Sequence, residues 1–586
     1  MKNIIAIIAV IFLLEGCKKD LLDTAPTNAL SSTTMWTTDN LTDLGVNGVY
    51  AALRLGQNTG GPSYLEPYQY DRLGMTGTNR SADNFMMGTI TPSDGFFSSN
   101  WQNFYEGIQR ANTAIKNIAT ISPSIATKKL RLIAECKFLR AYFYTKLNQG
   151  WRGVPVYLEP FGIADATKPR ATEDSVWKVI INDLTDCINE PNLPIKYAKG
   201  DANYGRITKG AAYALRGKAY LYQQNWALAA ADFAQVQMAG FSLFSDYHLL
   251  FKEANEQSPE MIFSIQNISV LGLGSTIDFF CGTRSSFGSC WNSFYVSPVV
   301  VDLYENSDGS KFNWENIIPG YTSMSPLARQ VYFLRDGLTA SEINAAVSRG
   351  ADMTKYLPVG NEARIKQVYA NRDPRLALNV ITPYSNYNGV VGAANVTSTY
   401  RFPYRTSALP TADLQTDATT FYFYLYRKFV DENSNESLGR NYGPVDFPLI
   451  RYADVLLMWA EAINEQAFSQ SAIGLVNQVR ARVGMPALQS SDPTKPTYVS
   501  SQADLRERIR NERRVEFVNE GINYYDEIRW KTWKDKVFFP GSGSSQIWGQ
   551  NAYTYNWTGD FMYLWAIPQV EIARNPNLVQ NPGWSN

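Results

Sequence analysis

TKGAAYALRGKAYLYQQNWALAAADFAQVQ, running from Thr208 to Gln237, decides the fold. Its apolar residues keep helical spacing to Gln223 and again from Trp226, so Gln224-Asn225 is a tight turn between two helices. Tyr213, Gly217, Tyr220, Ala229 and Phe233 fall at the offsets of the tetratricopeptide repeat, a helix-turn-helix unit of roughly 34 residues. The spacing has a steric reason. Gly217 and Ala229 let the two helices approach, and Tyr213, Tyr220 and Phe233 fill the remaining space. A glycine inside a helix costs about 1 kcal/mol, which a close crossing would justify. A generic helical hairpin is the alternative.

Helical patterning continues outward from this pair. Leu41 to Leu53, Trp101 to Ile118 and Lys129 to Leu147 read as helices, the last with Leu130, Ala134, Phe138, Ala141 and Tyr142 on one face. Glu173 to Cys187 follows, with Thr172 as its N-cap. Pro448 to Gln466, Ser471 to Val483 and Ser501 to Glu520 are expected helices near the C-terminus. Ala460 and Ala472 repeat the two small positions in a weaker form of the same unit. Residues 57–98 break the pattern with Gly, Pro and Ser among Tyr64, Tyr68, Tyr70, Phe85, Phe96 and Phe97. A long aromatic loop of this kind points to function. Residues 250–445 hold short β-prone runs, Met261 to Ile265 and Phe421 to Lys428, between polar loops. The tail from Lys531 is loop-rich, with Trp548, Tyr553, Tyr555 and Trp557 close together.

The first residues carry an address. Lys2 precedes an unbroken apolar run, Ile4 to Leu14. Eleven residues at helical rise span about 16 Å, against roughly 30 Å of bilayer hydrocarbon, so the run fits a signal peptide and not a membrane anchor. Leu14-Glu15-Gly16-Cys17 then matches a bacterial lipobox, although Glu15 is an unusual residue there. Residues 1–16 are therefore expected to be removed and Cys17 to be lipidated, with Lys18 to Ser32 as a flexible tether.

Composition narrows the function. The 586 residues carry 54 basic and 54 acidic side chains, with no basic stripe for nucleic acid. Among them are 35 Tyr, 29 Phe and 14 Trp; a core explains most of these, and Tyr and Trp beyond its needs are of the kind that stack on sugars. His248 is the single histidine, so a multi-histidine zinc site is excluded and a Ser-His-Asp triad would rest on it alone. Of five cysteines, Cys136 and Cys187 sit in helical patterns as buried apolar residues. Cys281 and Cys290 lie in CGTRSSFGSC, where an oxidising compartment permits a disulfide, two thiols being the alternative. Glu512, Glu516 and Glu520 share one helix face. They could serve a glycosidase, which needs two carboxylates. Interleaved with Arg510, Arg513 and Arg514 they read instead as an ion-pair network, and Arg451, Asp454 and Glu461 read the same way.

A series of motifs then appears in order: CKKDLLDTAP after the lipobox, WQNFYEGIQRANTAI (101–115), AECKFLRAYFYTKL with GVPV (134–156), RYADVLLMWAEAINE (451–465), IRNERRVEFVNEGINYYDEIRW (509–530), and YLWAIPQVEI with QNPGW at the end. The chain resembles the SusD/RagB family of outer-membrane lipoproteins. The resemblance implies a mostly α fold, with four tetratricopeptide-like helix pairs and an irregular, loop-rich ligand-binding part. It implies a non-enzymatic, surface-exposed, lipid-anchored protein that captures oligosaccharides for a SusC-like TonB-dependent transporter, with no cofactor and no metal. Peptide capture of the RagB kind is the alternative, and a glycoside hydrolase a weaker one. The expected organisation is a signal peptide (1–16), a lipidated tether (17–39), an N-terminal helical region (40–250), a loop-rich region (251–445) and a C-terminal helical region with tail (446–586). Family ligand residues vary, so the site is placed only by region, in 57–98 and 279–321. Phe96, Trp291, Trp314 and Tyr321 are the candidate stacking rings, with Asp83 and Asn84 as polar partners.

Overall fold

A computed structural model describes residues 34–56, 66–287, 290–391, 394–417, 422–432 and 440–585. The signal peptide, Cys17 and Tyr64 lie outside them. The principal helices are α1 (Asp39–Tyr50), α2 (Gly95–Thr120), α3 (Ala126–Trp151), α4 (Glu173–Asn189), α5 (Lys209–Tyr222), α6 (Trp226–Met238), α7 (Tyr452–Gln466), α8 (Gln470–Arg482), α9 (Gln502–Glu516) and α10 (Asn523–Trp530). From α2 to α6 each packs on the next in sequence. Helix α6 then packs on α7, which packs on α8 and α9, so the row continues although residues 239–451 intervene.

Local chemistry sets the ends of these helices. Thr208 and Thr172 accept hydrogen bonds from the backbone N–H groups of Ala211 and Ser175, each at 3.2 Å, as N-caps do. Gln224 turns the chain between α5 and α6 with φ 56°. The α5–α6 crossing is as tight as the sequence demands. A Cβ on Gly217 would lie 2.6 Å from Phe233 Cε1, and Ala229 and Phe233 are fully buried.

Two expected helices are shorter than their patterns. Phe447–Arg451 is a strand, paired antiparallel with Met261–Ile265. Pro448 has no N–H to give a helix, Arg451 is extended at φ −130° and ψ 160°, and the Tyr452 N–H donates to the Glu260 carbonyl at 2.9 Å. Helix α9 stops at Glu516 because Asn519 and Gly521 take φ 66° and 67°. The reversal brings Gly521 so close to Pro67 that a Cβ would lie 1.8 Å from its carbonyl oxygen.

The remaining strands also form two-stranded antiparallel ladders. The one that matters for the site joins β1 (Gly77–Asn79) to β2 (Phe294–Val296), with Thr78 opposite Tyr295. Of the β-prone run Phe421 to Lys428, the described part is 422–428, and within it Leu425–Tyr426 is the strand.

The loop-rich tail is a clasp. Trp565 packs edge-on against Trp151 at 5.0 Å, and the Trp151 Nε1–H donates to the Ala566 carbonyl at 2.7 Å. Trp533 Nε1–H donates to the Leu73 carbonyl at 2.6 Å. The tail thereby closes over the N-terminal helices, and one continuous core includes residues from Trp36 to Trp584.

Candidate functional site

The aromatic loop is mostly core. Tyr68, Tyr70, Phe85, Phe96 and Phe97 are all buried. Phe96 meets Trp565 edge to face at 4.8 Å and leaves no face for a ligand. Trp314 and Tyr321 are likewise withdrawn as candidates. They stack on each other at 4.1 Å with 12° between planes. The Arg329 guanidinium lies 4.8 Å from the Tyr321 ring. Trp314 donates through Nε1 to the Asp302 carboxylate at 3.1 Å, and burial pushes that carboxyl up to about 6 against this bond. In each case the ring fills space between segments that the sequence does not show to be neighbours.

Asp83 holds its own loop. Its carboxylate pairs with Arg72 at 2.7 Å and accepts from the Phe85 N–H at 2.9 Å. Cys281 and Cys290 are buried thiols and are not joined. The Cys281 thiol points instead to the Asn519 side-chain oxygen at 3.8 Å. Asn84 and Trp291 are the two candidates left exposed.

Trp291 sits where the chain doubles back. Its N–H donates to the Phe279 carbonyl at 2.8 Å, and the Ser293 N–H donates to the Phe280 carbonyl at 2.7 Å. The buried rings of Phe279 and Phe280 form the base, the first with its centroid 4.8 Å from that of Trp291. Trp291 is 37 % exposed. The Arg440 guanidinium lies 4.8 Å from its ring and 4.7 Å from that of Phe279, as a cation over an aromatic face does. On the same doubled-back segment, Arg284 shares the Asp417 carboxylate with Arg80, which follows β1; the Arg80 pair spans 3.2 Å. Arg80, Arg284, Asp417 and Arg440 were not singled out in the sequence. Single arginines in polar loops carry no period, and the only signal was the position of Arg284 between the two cysteines.

The carboxylates of the hydrolase reading are elsewhere and inaccessible. Glu512, Glu516 and Glu520 are all buried. Glu516 pairs with Arg451 at 2.8 Å, Arg375 at 3.0 Å and also Arg482. Glu512 pairs with Arg375 at 2.6 Å and Arg480 at 3.1 Å. Glu520 pairs with Arg451 at 2.7 Å and with Lys428. Burial alone would raise the Glu516 carboxyl, but Arg482, Arg451 and Arg375 overcome it and hold it well below the usual carboxylate range. A group so ionised and so enclosed is no general acid. Arg513 pairs with Asp454 at 2.8 Å, and Glu461 takes the Arg529 fork. Among the described residues no group of three or more His, Cys, Asp or Glu could hold a metal ion, and no helix is long and apolar enough to cross a membrane.

Residues 259–584, more than half of the chain, match the family profile described as the SusD family. The chain belongs to the SusD family. Residues 20–221 match a further profile, described as starch-binding associating with outer membrane. A SusD-like protein of Formosa agariphila is 23% identical over 611 residues, spanning 100% of this chain and 99% of its own length. Another from the same organism is 26% identical over 607 residues, 99% of each chain. A crystallised SusD-like protein from Bacteroides fragilis superposes with a TM-score of 0.73 at 23% identity, covering 96% of this chain and all of its own. A laminarin-binding SusD-like protein superposes at 0.63 and 22% identity over 94% of this chain and 100% of that one. The SusD fold expected from the motifs is thus the fold observed.

Proposed function

We propose that this SusD-family protein is a glycan-binding lipoprotein, held on the outer face of the outer membrane through Cys17. In this reading it captures oligosaccharides for a SusC-like TonB-dependent transporter and does no chemistry on them. The observation that carries the reading is Trp291: a broad ring, fixed on a buried aromatic base and open to solvent, in the loop-rich region of the chain. A pyranose stacks its apolar face on such a ring while its hydroxyls remain wet. Family membership supports it, as does the structural likeness to proteins named for laminarin binding and as surface glycan-binding proteins.

The test is calorimetric titration of the purified protein against a panel of soluble glycans and peptides, with product analysis of each mixture. Saturable glycan binding without new reducing ends, weakened about tenfold or more by Trp291→Ala, is expected. Binding to peptides alone would turn the reading to peptide capture. Binding to nothing, or release of product, would overturn it. Co-purification with a TonB-dependent barrel tests the partnership separately.

A further inference from the structure

The cationic side chains around Trp291 say something about the ligand beyond its being a glycan. Arg80, Arg284 and Arg440 stand on the segments that frame the ring, and Arg80 and Arg284 share the Asp417 carboxylate. The Arg80 and Arg284 side chains are 27% and 30% exposed and Asp417 is 22% exposed, so the trio borders solvent. Arg440 is exposed too; its guanidinium lies over two aromatic rings, and among the described residues no carboxylate pairs with it.

The geometry is a joined one. Gly282 and Cys290 lie side by side, a Cβ on the first reaching within 2.9 Å of the second's Sγ. Arg284 and Trp291 therefore leave the same narrow neck. Asn79, one residue before Arg80, pairs with Phe294, three residues after Trp291. The acids nearest in sequence are engaged elsewhere. Asp83 is taken by Arg72, Glu432 by Arg427, and the buried Asp278 accepts from the Asp431 N–H at 2.7 Å. Asp278 and Asp431 are both buried, so among the described side chains that border solvent here the guanidiniums of Arg80, Arg284 and Arg440 stand against the single carboxylate of Asp417.

We infer that the site takes an anionic glycan, one bearing carboxylate or sulfate groups, with the sugar stacked on Trp291 and its charge met by Arg440 and the Arg80–Arg284 pair. A neutral sugar gains nothing from a surplus of guanidiniums, whereas a planar fork suits carboxylate and sulfate oxygens.

This inference rests on Trp291 being the glycan platform, and the experiment separates the two. The purified protein is titrated with polyguluronate, ι-carrageenan and laminarin at 20 and 500 mM NaCl. Binding to polyguluronate or to ι-carrageenan in preference to laminarin is expected, the two anionic arms telling carboxylate from sulfate. Affinity should fall at the higher salt, by about tenfold or more for Arg440→Gln, and be partly restored by Arg440→Lys. Equal or tighter binding to laminarin, unmoved by salt and by Arg440→Gln but lost in Trp291→Ala, would overturn the anionic assignment and leave glycan capture standing. Failure to bind any of the three would overturn it as well. The salt dependence is read on the unmodified chain and does not rely on any variant folding.

Discussion

Gly217→Ala puts the repeat packing to a quantitative test. Alanine ordinarily improves a helix by about 1 kcal/mol over glycine, so an open crossing would make this variant more stable. Here the new Cβ would stand 2.6, 2.9 and 3.1 Å from three carbons of the Phe233 ring. Ordinary carbon contacts lie at about 3.5–4.0 Å, so ring and helix must part by close to an ångström. Overpacking of this kind costs roughly 1–3 kcal/mol. The net is a loss of about 1 kcal/mol, or roughly fivefold faster hydrogen exchange in the amides of α5 and α6 if they open as a unit. Phe233→Leu removes the ring edge that clashes. Gly217→Ala made on that background should cost little or become stabilising, and the two changes should be coupled by about 1 kcal/mol or more. Exchange mass spectrometry on the four proteins decides it. Unchanged or stronger protection in the single variant, or the same effect in both backgrounds, would refute the close-approach account.

Other outcomes follow from the same structure. Glu516→Gln leaves Arg451, Arg482 and Arg375 short of charge and should cost about 3–5 kcal/mol in urea unfolding at pH 7. The Glu516 carboxyl is depressed in the folded state, so its contribution is complete above the unfolded value of about 4.3 and declines as pH falls below it. The difference from the parent should therefore narrow by roughly 1 kcal/mol at pH 3.5, and a constant difference would count against the network. Trp314→Ala should destabilise by about 3–5 kcal/mol, whereas Trp291→Ala, at an exposed ring, should leave the melt nearly unchanged and act on ligand binding. Alkylation of the denatured, unreduced protein should label both Cys281 and Cys290; a protected pair would contradict the thiol assignment. Cys17→Ala should move the protein from the membrane to the soluble fraction, and firm retention would undo the anchor.

Helices were legible because their signals are local. Gly217, Ala229 and Phe233 announced one crossing by spacing alone, and Thr172 and Thr208 marked helix starts where the caps form. The pattern failed where a partner distant in sequence decides. Phe447–Arg451 is apolar enough for a helix, but it pairs with Met261–Ile265. Gly107 was passed over, although a Cβ there would lie 2.5 Å from Phe143 and the α2–α3 crossing depends on it. The site was less legible than the fold. Phe96, Trp291, Trp314 and Tyr321 are the same chemistry in one dimension, and only the rings stacked above and below tell a core residue from a platform. Asp83 looked like a ligand group for the reason that makes it a good loop anchor: a carboxylate beside free backbone N–H groups caps them. The ion-pair reading of Glu512 and Glu516 needed less, because alternating acids and arginines on one helix face already favour mutual pairing.

The tail that clasps the N-terminal helices also sets an order of events. Trp151 and Leu73 meet partners near residues 566 and 533, so the first helices to emerge from a ribosome lack their cover until those residues have arrived. Pairings this remote close late and slowly. Until then the row of helices presents aromatic side chains to whatever is nearby, a state that a chaperone can hold and a protease can recognise. A product cut short before Trp565 would be left in that condition. The cover over Trp151 and Leu73 thus depends on the last sixty or so residues, and the contacts that complete the N-terminal core are remote ones.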